Sequence, residues 1–132
     1  MDRVDVKINV ERKLQSLRYT AVSSDDWIIN FITDKTENYI KSNCNISVIP
    51  DELLQIMVDM ICGEFLNTKK NSGNLDIEGL NFEMVSKSVQ EGDTKVEFFT
   101  DGTATADQLF NKLIQALTGR KEELSSYRCI KW

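Results

Sequence analysis

The chain has no histidine, one proline, six glycines and three cysteines among its 132 residues, and each scarcity closes off a class of function. Without an imidazole there is no Ser-His-Asp triad, no Cys-His pair and no HExxH zinc site. The glycines form neither a phosphate-binding loop nor a dinucleotide fingerprint. Cys44, Cys62 and Cys129 are an odd number without metal-ligand spacing, so reduced thiols are expected rather than a disulfide framework or a metal site. No apolar run approaches the roughly twenty residues of a membrane span, and residues 1–10 alternate charged and apolar side chains where a signal peptide would be continuously apolar. The expectation is one domain made in a reducing cytoplasm, without a cofactor, large enough to bury roughly two thirds of its unfolded surface.

What is present begins with charge. The net charge is -5, and residues 21–66 carry most of it: Asp25, Asp26, Asp34, Glu37, Asp51, Glu52, Asp59 and Glu64 stand against Lys35 and Lys41. Both ends of the chain carry a slight basic excess. An acidic middle disfavours phosphate-backbone binding, which needs clustered Lys and Arg to release counterions. Such acids are expected either to form a wall that repels other anions or to make a solvated outer face.

Periodicity predicts a mainly α fold. At the start, Val4, Val6, Ile8 and Val10 alternate as in a strand, while Val10, Leu14 and Leu17 share a helical face behind Asn9 as a cap, predicting a short helix over residues 9–18. Ser23-Ser24-Asp25-Asp26 opens a second helix whose stripe of Trp27, Ile28, Phe31, Ile32, Lys35, Tyr39 and Ile40 is expected to face the core. It should stop at Asn43-Cys44-Asn45, since Asn tolerates the left-handed conformation. Pro50 followed by Asp51 and Glu52 restarts a helix running to about residue 67. Its apolar positions cover more than one face, which marks it as central, and Gly63 within it implies a close helix crossing. Residues 84–90 and 94–99, joined by Glu91-Gly92-Asp93, read as a β-hairpin. A last helix over 106–117 stops at Gly119. The expected architecture is a small helical bundle, with its body over residues 9–118, one β-hairpin and an extended C-terminal arm over 120–132.

Candidate chemistry is sparse. Asn74, Asp76, Glu78 and Gly79 match the first half of a calcium-binding loop, but Val85 stands where the bidentate Glu belongs. Asp25-Asp26, Asp51-Glu52 and Glu122-Glu123 are explained by capping and solvation. Arg128 and Lys131 flank Cys129 and would lower its pKa, but no base accompanies it. No catalytic residue is expected.

The tail Tyr127-Arg128-Cys129-Ile130-Lys131-Trp132 is the more informative segment. Termini ordinarily fray into water, and Tyr, Trp and Arg are the residues that dominate interfaces when they fill a partner's pockets. Trp132 either folds onto its own core or anchors on a partner.

In order along the chain come the acid-capped aromatic helix, the Asn43-Cys44-Asn45 stop, the Ile49-Pro50-Asp51-Glu52-Leu53 restart and Met60-Ile61-Cys62-Gly63-Glu64-Phe65-Leu66. After them come Ser86-Lys87-Ser88-Val89-Gln90-Glu91-Gly92-Asp93-Thr94 and the aromatic-basic tail. Over residues 9–132 this ordered set resembles the head-to-tail connector (adaptor) family of tailed bacteriophages and prophages, especially forms from clostridial hosts. The resemblance implies a non-enzymatic virion protein of the neck at the portal vertex, assembled in the bacterial host cytoplasm. Its copies would form a homo-oligomeric ring, commonly dodecameric, between the portal and a tail-side neck or stopper protein. Double-stranded DNA would pass through without sequence-specific binding, and no membrane is involved. The resemblance further implies that Tyr127, Arg128, Ile130, Lys131 and Trp132 dock on the portal, and that hairpin residues Lys87, Gln90, Glu91, Asp93 and Lys95 contact the channel or a neighbouring subunit. The alternative is a small helical nucleic-acid-binding or regulatory protein.

Overall fold

The computed structural model describes residues 3–82 and 105–127. Four α-helices account for most of them: α1 (Arg3–Ser16), α2 (Asp26–Cys44), α3 (Leu54–Asn71) and α4 (Ala106–Thr118), with short 3-10 turns at Ser23–Asp25, Asp51–Leu53 and Ile77–Gly79 and a longer 3-10 segment, Gly119–Tyr127. The expected mixed architecture is corrected here. No β-strand occurs among the described residues, and the hairpin proposed over 84–99 lies outside them.

Helix α3 is the axis on which α1, α2, α4 and the final 3-10 segment all pack. Ile56 to Gly63, Phe65 and Leu66 are buried, so apolar side chains surround the helix as its sequence predicted. Asp51 and Glu52 occupy the 3-10 turn after Pro50, next to the positive end of the helix dipole. The helix runs past residue 67 to Asn71, because its last turn carries Lys69 and Lys70 at the negative end. The Tyr19 ring meets Phe65 edge-on, centroids 5.5 Å apart.

Helix α1 starts at Arg3, six residues before the predicted position. Val6, Val10 and Leu14 repeat every fourth residue and are buried, and this repeat overrides the strand-like alternation, in which Val4 and Ile8 are the exposed members. Asn9 does not cap the helix; its amide donates to the Asp5 carbonyl at 2.7 Å within it.

Three helices end the same way. Arg18, Asn45 and Gly73 have φ of 66°, 55° and 79°, and the next N–H in each case reaches back five residues: Tyr19 to Leu14 (2.8 Å), Ile46 to Lys41 (3.1 Å) and Asn74 to Lys69 (3.0 Å). These are Schellman closures, which satisfy carbonyls that the helix end would otherwise leave open. At the other end of the fold, α4 opens with a reciprocal cap: Gln108 N–H donates to Thr105 Oγ1 at 3.2 Å, and Thr105 N–H to Gln108 Oε1 at 2.9 Å.

The expected extended arm is also corrected over its first part. Gly119–Tyr127 is a 3-10 helix against the bundle, with Leu124 fully buried and Tyr127 packed on the core. The Cys44 thiol donates to the Leu124 carbonyl at 3.6 Å. Burying Leu124 outweighs the poorer 3-10 hydrogen-bond geometry and holds a segment that polarity alone would assign to solvent.

Candidate functional site

Helix α2 sets up the most informative surface. Ile29, Ile32, Thr33, Thr36, Ile40 and Cys44 form its buried face. At about 100° per residue, Trp27 and Phe31 lie nearly half a turn away from that face, and they are 70% and 64% exposed. The expected core stripe is therefore corrected in part: Ile32 and Ile40 are buried as expected, whereas Trp27, Phe31 and Tyr39 are not. Two interleaved stripes run along α2, and the smaller, β-branched one is inside. Ile28 packs partly against the core and Tyr39 is exposed at one flank. A single exposed apolar residue is ordinary, whereas an adjacent pair of large aromatics on a helix face is the kind of patch that marks a contact surface.

Beside this face α2, α3 and α4 enclose a groove of about 310 Å³, lined by Tyr39, Met60, Ile114 and Thr118, with Lys35, Glu64 and Lys121 among its polar residues. Lys35 pairs with Glu64 across it.

The acids of the central region are not an open acidic wall. Asp25 pairs with Lys69 (2.9 Å), Asp26 with Lys7 (3.4 Å), Asp34 with Arg3, Glu37 with Arg3 (3.3 Å) and Lys41 (2.9 Å), Asp59 with Lys13 (3.5 Å) and Arg120 (2.7 Å), and Glu64 with Lys35. Most of these cations come from α1 and from the end of α3 or the final 3-10 segment, so the basic ends neutralise the acidic middle in space. Asp51 and Glu52 remain exposed in the turn before α3.

Two of the pairs are buried enough to matter for folding. Burial by itself would raise the Asp25 carboxyl, but the Tyr19 hydroxyl (2.7 Å), the Lys69 ammonium (2.9 Å) and the Val22 N–H (3.2 Å) all donate to it and hold it below the usual carboxylate range. Burial, reinforced by the hydrogen bond to the Asp25 carboxylate and by its charge, pushes the Tyr19 hydroxyl up. Asp59 on α3 ties α1 to the final segment through Lys13 and Arg120. The Arg120 guanidinium, hydrogen-bonded to Glu123 and Asp59, stays charged beyond its ordinary range. Burial raises the Cys62 thiol, which donates to the Val10 carbonyl at 3.6 Å. These arrangements bind helices together, and none leaves a polar group aimed at a cleft: the described buried side-chain nitrogens and oxygens all have partners.

Among the described residues no group of three or more His, Cys, Asp or Glu side chains is placed to hold a metal ion. Asp76 caps the Ile77–Gly79 turn through a 3.2 Å bond from Glu78 N–H, the local use of the half-matched calcium loop. No described helix is long and apolar enough to cross a membrane. Of the residues predicted to dock on a partner, Tyr127 is half-buried against its own bundle; Arg128, Ile130, Lys131 and Trp132 lie outside the described residues, as do Lys87, Gln90, Glu91, Asp93 and Lys95. The signal that separates Trp27 and Phe31 from the core is the competing Ile29, Thr33, Thr36 and Ile40 repeat. Comparison with protein-family models, curated proteins and solved structures finds no match to the chain.

Proposed function

We propose that the chain is a structural, non-enzymatic subunit of a tailed-phage head-to-tail connector, one copy of a ring seated between the portal and a tail-side neck protein around the passing DNA. The observation that carries this reading is the outward Trp27 and Phe31 pair on a helix whose own core face is complete; aromatic anchors of this kind are what protein contacts are built from. The order of sequence elements supplies the particular assembly. A DNA-binding role is less well supported, because among the described residues Arg3, Lys7, Lys13, Lys35, Lys41, Lys69, Lys70 and Arg120 each already face an acid, leaving only Arg12, Arg18, Lys112 and Lys121 for phosphate there. In this reading Arg128, Ile130, Lys131 and Trp132 form the portal-docking end.

The test is co-sedimentation of the purified protein with portal rings, and with portal-bearing DNA-filled heads, of the same virus. The full chain should bind both, and a chain ending at Tyr127 neither. Failure of the full chain to bind either particle overturns the proposal.

A further inference from the structure

The groove between α2, α3 and α4 joins apolar walls, made by Met60, Ile114 and the Tyr39 ring, to polar groups that the fold does not use. Thr36 is the most telling of these. It lines the groove although it is only 3% exposed, and no hydrogen bond ties its hydroxyl to the described residues. Thr33, the other buried threonine of α2, shows the usual alternative by donating to the Ile29 carbonyl at 2.7 Å. Every enclosed side-chain oxygen among the described residues has a partner, so the Thr36 hydroxyl is not enclosed; it opens on the groove that the residue lines.

The charges of the lining are unequal. Glu64 is its acid, and Lys35 already holds it, so that pair adds no net charge. Lys121, from the final 3-10 segment, is exposed and has no acid partner among the described residues. An ammonium is a donor only and a carboxylate an acceptor only, so an anionic head group complements this lining and a cationic one is repelled by it. Size narrows the rest. A cavity of roughly 150 Å³ holds one benzene, so the 310 Å³ here admits an apolar body of about eight to ten carbons. Thr36 is set too deep for a broad protein surface to reach, which favours a small molecule over a partner's helix.

We infer that this groove is a binding site for a small amphipathic carboxylate of the medium-chain fatty acid class. Its apolar body lies against Met60, Ile114 and Tyr39, and its carboxylate accepts from the Lys121 ammonium and the Thr36 hydroxyl. Met60 suits such a ligand, because an unbranched thioether adapts to the shape of what it meets. The site stands apart from the connector reading: a chain that binds the carboxylate and no portal ring keeps this site and loses that assembly.

The test is a titration of the full chain with octanoate, octanol and octylamine below their aggregation limits, followed by amide chemical shifts. Octanoate should give saturable shifts confined to residues 35–39, 60–64 and 114–121, octanol weaker ones at the same places, and octylamine none. Lys121→Met keeps the apolar stem and removes the charge; it should weaken octanoate roughly tenfold, to the level of octanol. Thr36→Val keeps the shape and removes the hydroxyl, and should weaken octanoate by a smaller factor. Both variants should melt like wild type, since Lys121 is exposed and the Thr36 hydroxyl bonds nothing in the fold, so lost binding is not lost folding. Absence of saturable octanoate shifts up to about 5 mM, octylamine binding as well as octanoate, or an unchanged octanoate affinity in Lys121→Met overturns the inference. So do shifts centred on Trp27 and Phe31 instead of the groove. If portal rings shift the groove residues while octanoate leaves them unmoved, the groove is a protein contact and the inference fails.

Discussion

Gly63 and Thr118 meet where α3 crosses α4 with no room between them: a Cβ on Gly63 would fall 2.8 Å from the Thr118 methyl and 2.9 Å from Leu117 Cβ. The methyl is not free to swing aside, because the Thr118 hydroxyl donates to the Ile114 carbonyl at 2.7 Å. Gly63→Ala should therefore destabilise the protein even though alanine is the better helix former by about 1 kcal/mol. Overpacking at such a contact costs about 1 to 3 kcal/mol, and the excess should appear as a lower urea midpoint. Thr118→Ala in the same chain should restore part of the loss. An unchanged or raised midpoint for Gly63→Ala would show that the crossing has slack.

Asp25 gives the fold an acid-sensitive joint. Because its folded pKa is depressed, its contribution is present in full above the unfolded carboxylate value, about 3.9, and is lost as pH falls through the lower folded value. Asp25→Asn leaves the Lys69 ammonium without its partner, and breaking a buried pair in this way costs about 3 kcal/mol. Urea unfolding at neutral pH should show that loss, and the gap between variant and wild type should narrow once the pH falls below the carboxylate range. A gap that stays constant down to the lowest pH would mean that Asp25 charge contributes nothing.

Arg18 closes α1 in a conformation that costs a side-chain-bearing residue roughly 1 to 2 kcal/mol and costs glycine almost nothing. Its backbone is left-handed and its side chain is exposed. Arg18→Gly should stabilise the protein by about 0.5 to 1 kcal/mol, the relief being partly offset by the greater freedom of glycine in the unfolded chain. A lowered melting temperature would show that the Arg18 side chain does more for the fold than its exposure indicates.

Leu124 separates bundle from tail. Its complete burial makes Leu124→Ala a loss of about 2 to 5 kcal/mol, whereas ending the chain after Tyr127 removes none of the packing described above and should leave the melting temperature close to wild type. If the shortened chain unfolds, the residues beyond 127 belong to the core and their assignment to portal docking fails.

How far the sequence reveals the fold depends on whether a signal is local. The helix stop at Asn45, the start after Pro50 and the close crossing at Gly63 are written in single residues whose backbone or steric demands leave little choice, and the structure places all three; at Gly119, whose φ is an ordinary -65°, α4 passes directly into the 3-10 segment. The reach of α1 was obscured because Val4, Val6, Ile8 and Val10 satisfy period two and period four at once. In α2 the heavier aromatics dominate any reading by hydrophobicity, although shape decided the outcome: Ile29, Ile32 and Ile40 pack a narrow seam against α3 better than an indole does. Charge counted along the chain was the least informative guide to surface potential, since the partners of Asp25, Asp34 and Asp59 lie 44, 31 and 61 positions away. A candidate contact face could be found only after the core had been assigned.

That division of α2 gives the sharpest test of its two faces. Trp27→Ala and Phe31→Ala remove more apolar surface than any isoleucine substitution, yet both residues are largely in water in the isolated chain. Each should change stability by no more than about 0.5 kcal/mol. Ile29→Ala and Ile40→Ala remove smaller side chains from sites without solvent exposure and should cost about 2 to 5 kcal/mol each. The contrast inverts what side-chain size alone would give, and four denaturation curves decide it. If the aromatic substitutions prove as damaging as the isoleucine ones, the exposed face of α2 is covered within the chain itself, and the surface assigned to subunit contacts loses its basis. If they are silent for stability but abolish concentration-dependent association, Trp27 and Phe31 are held in water for a partner.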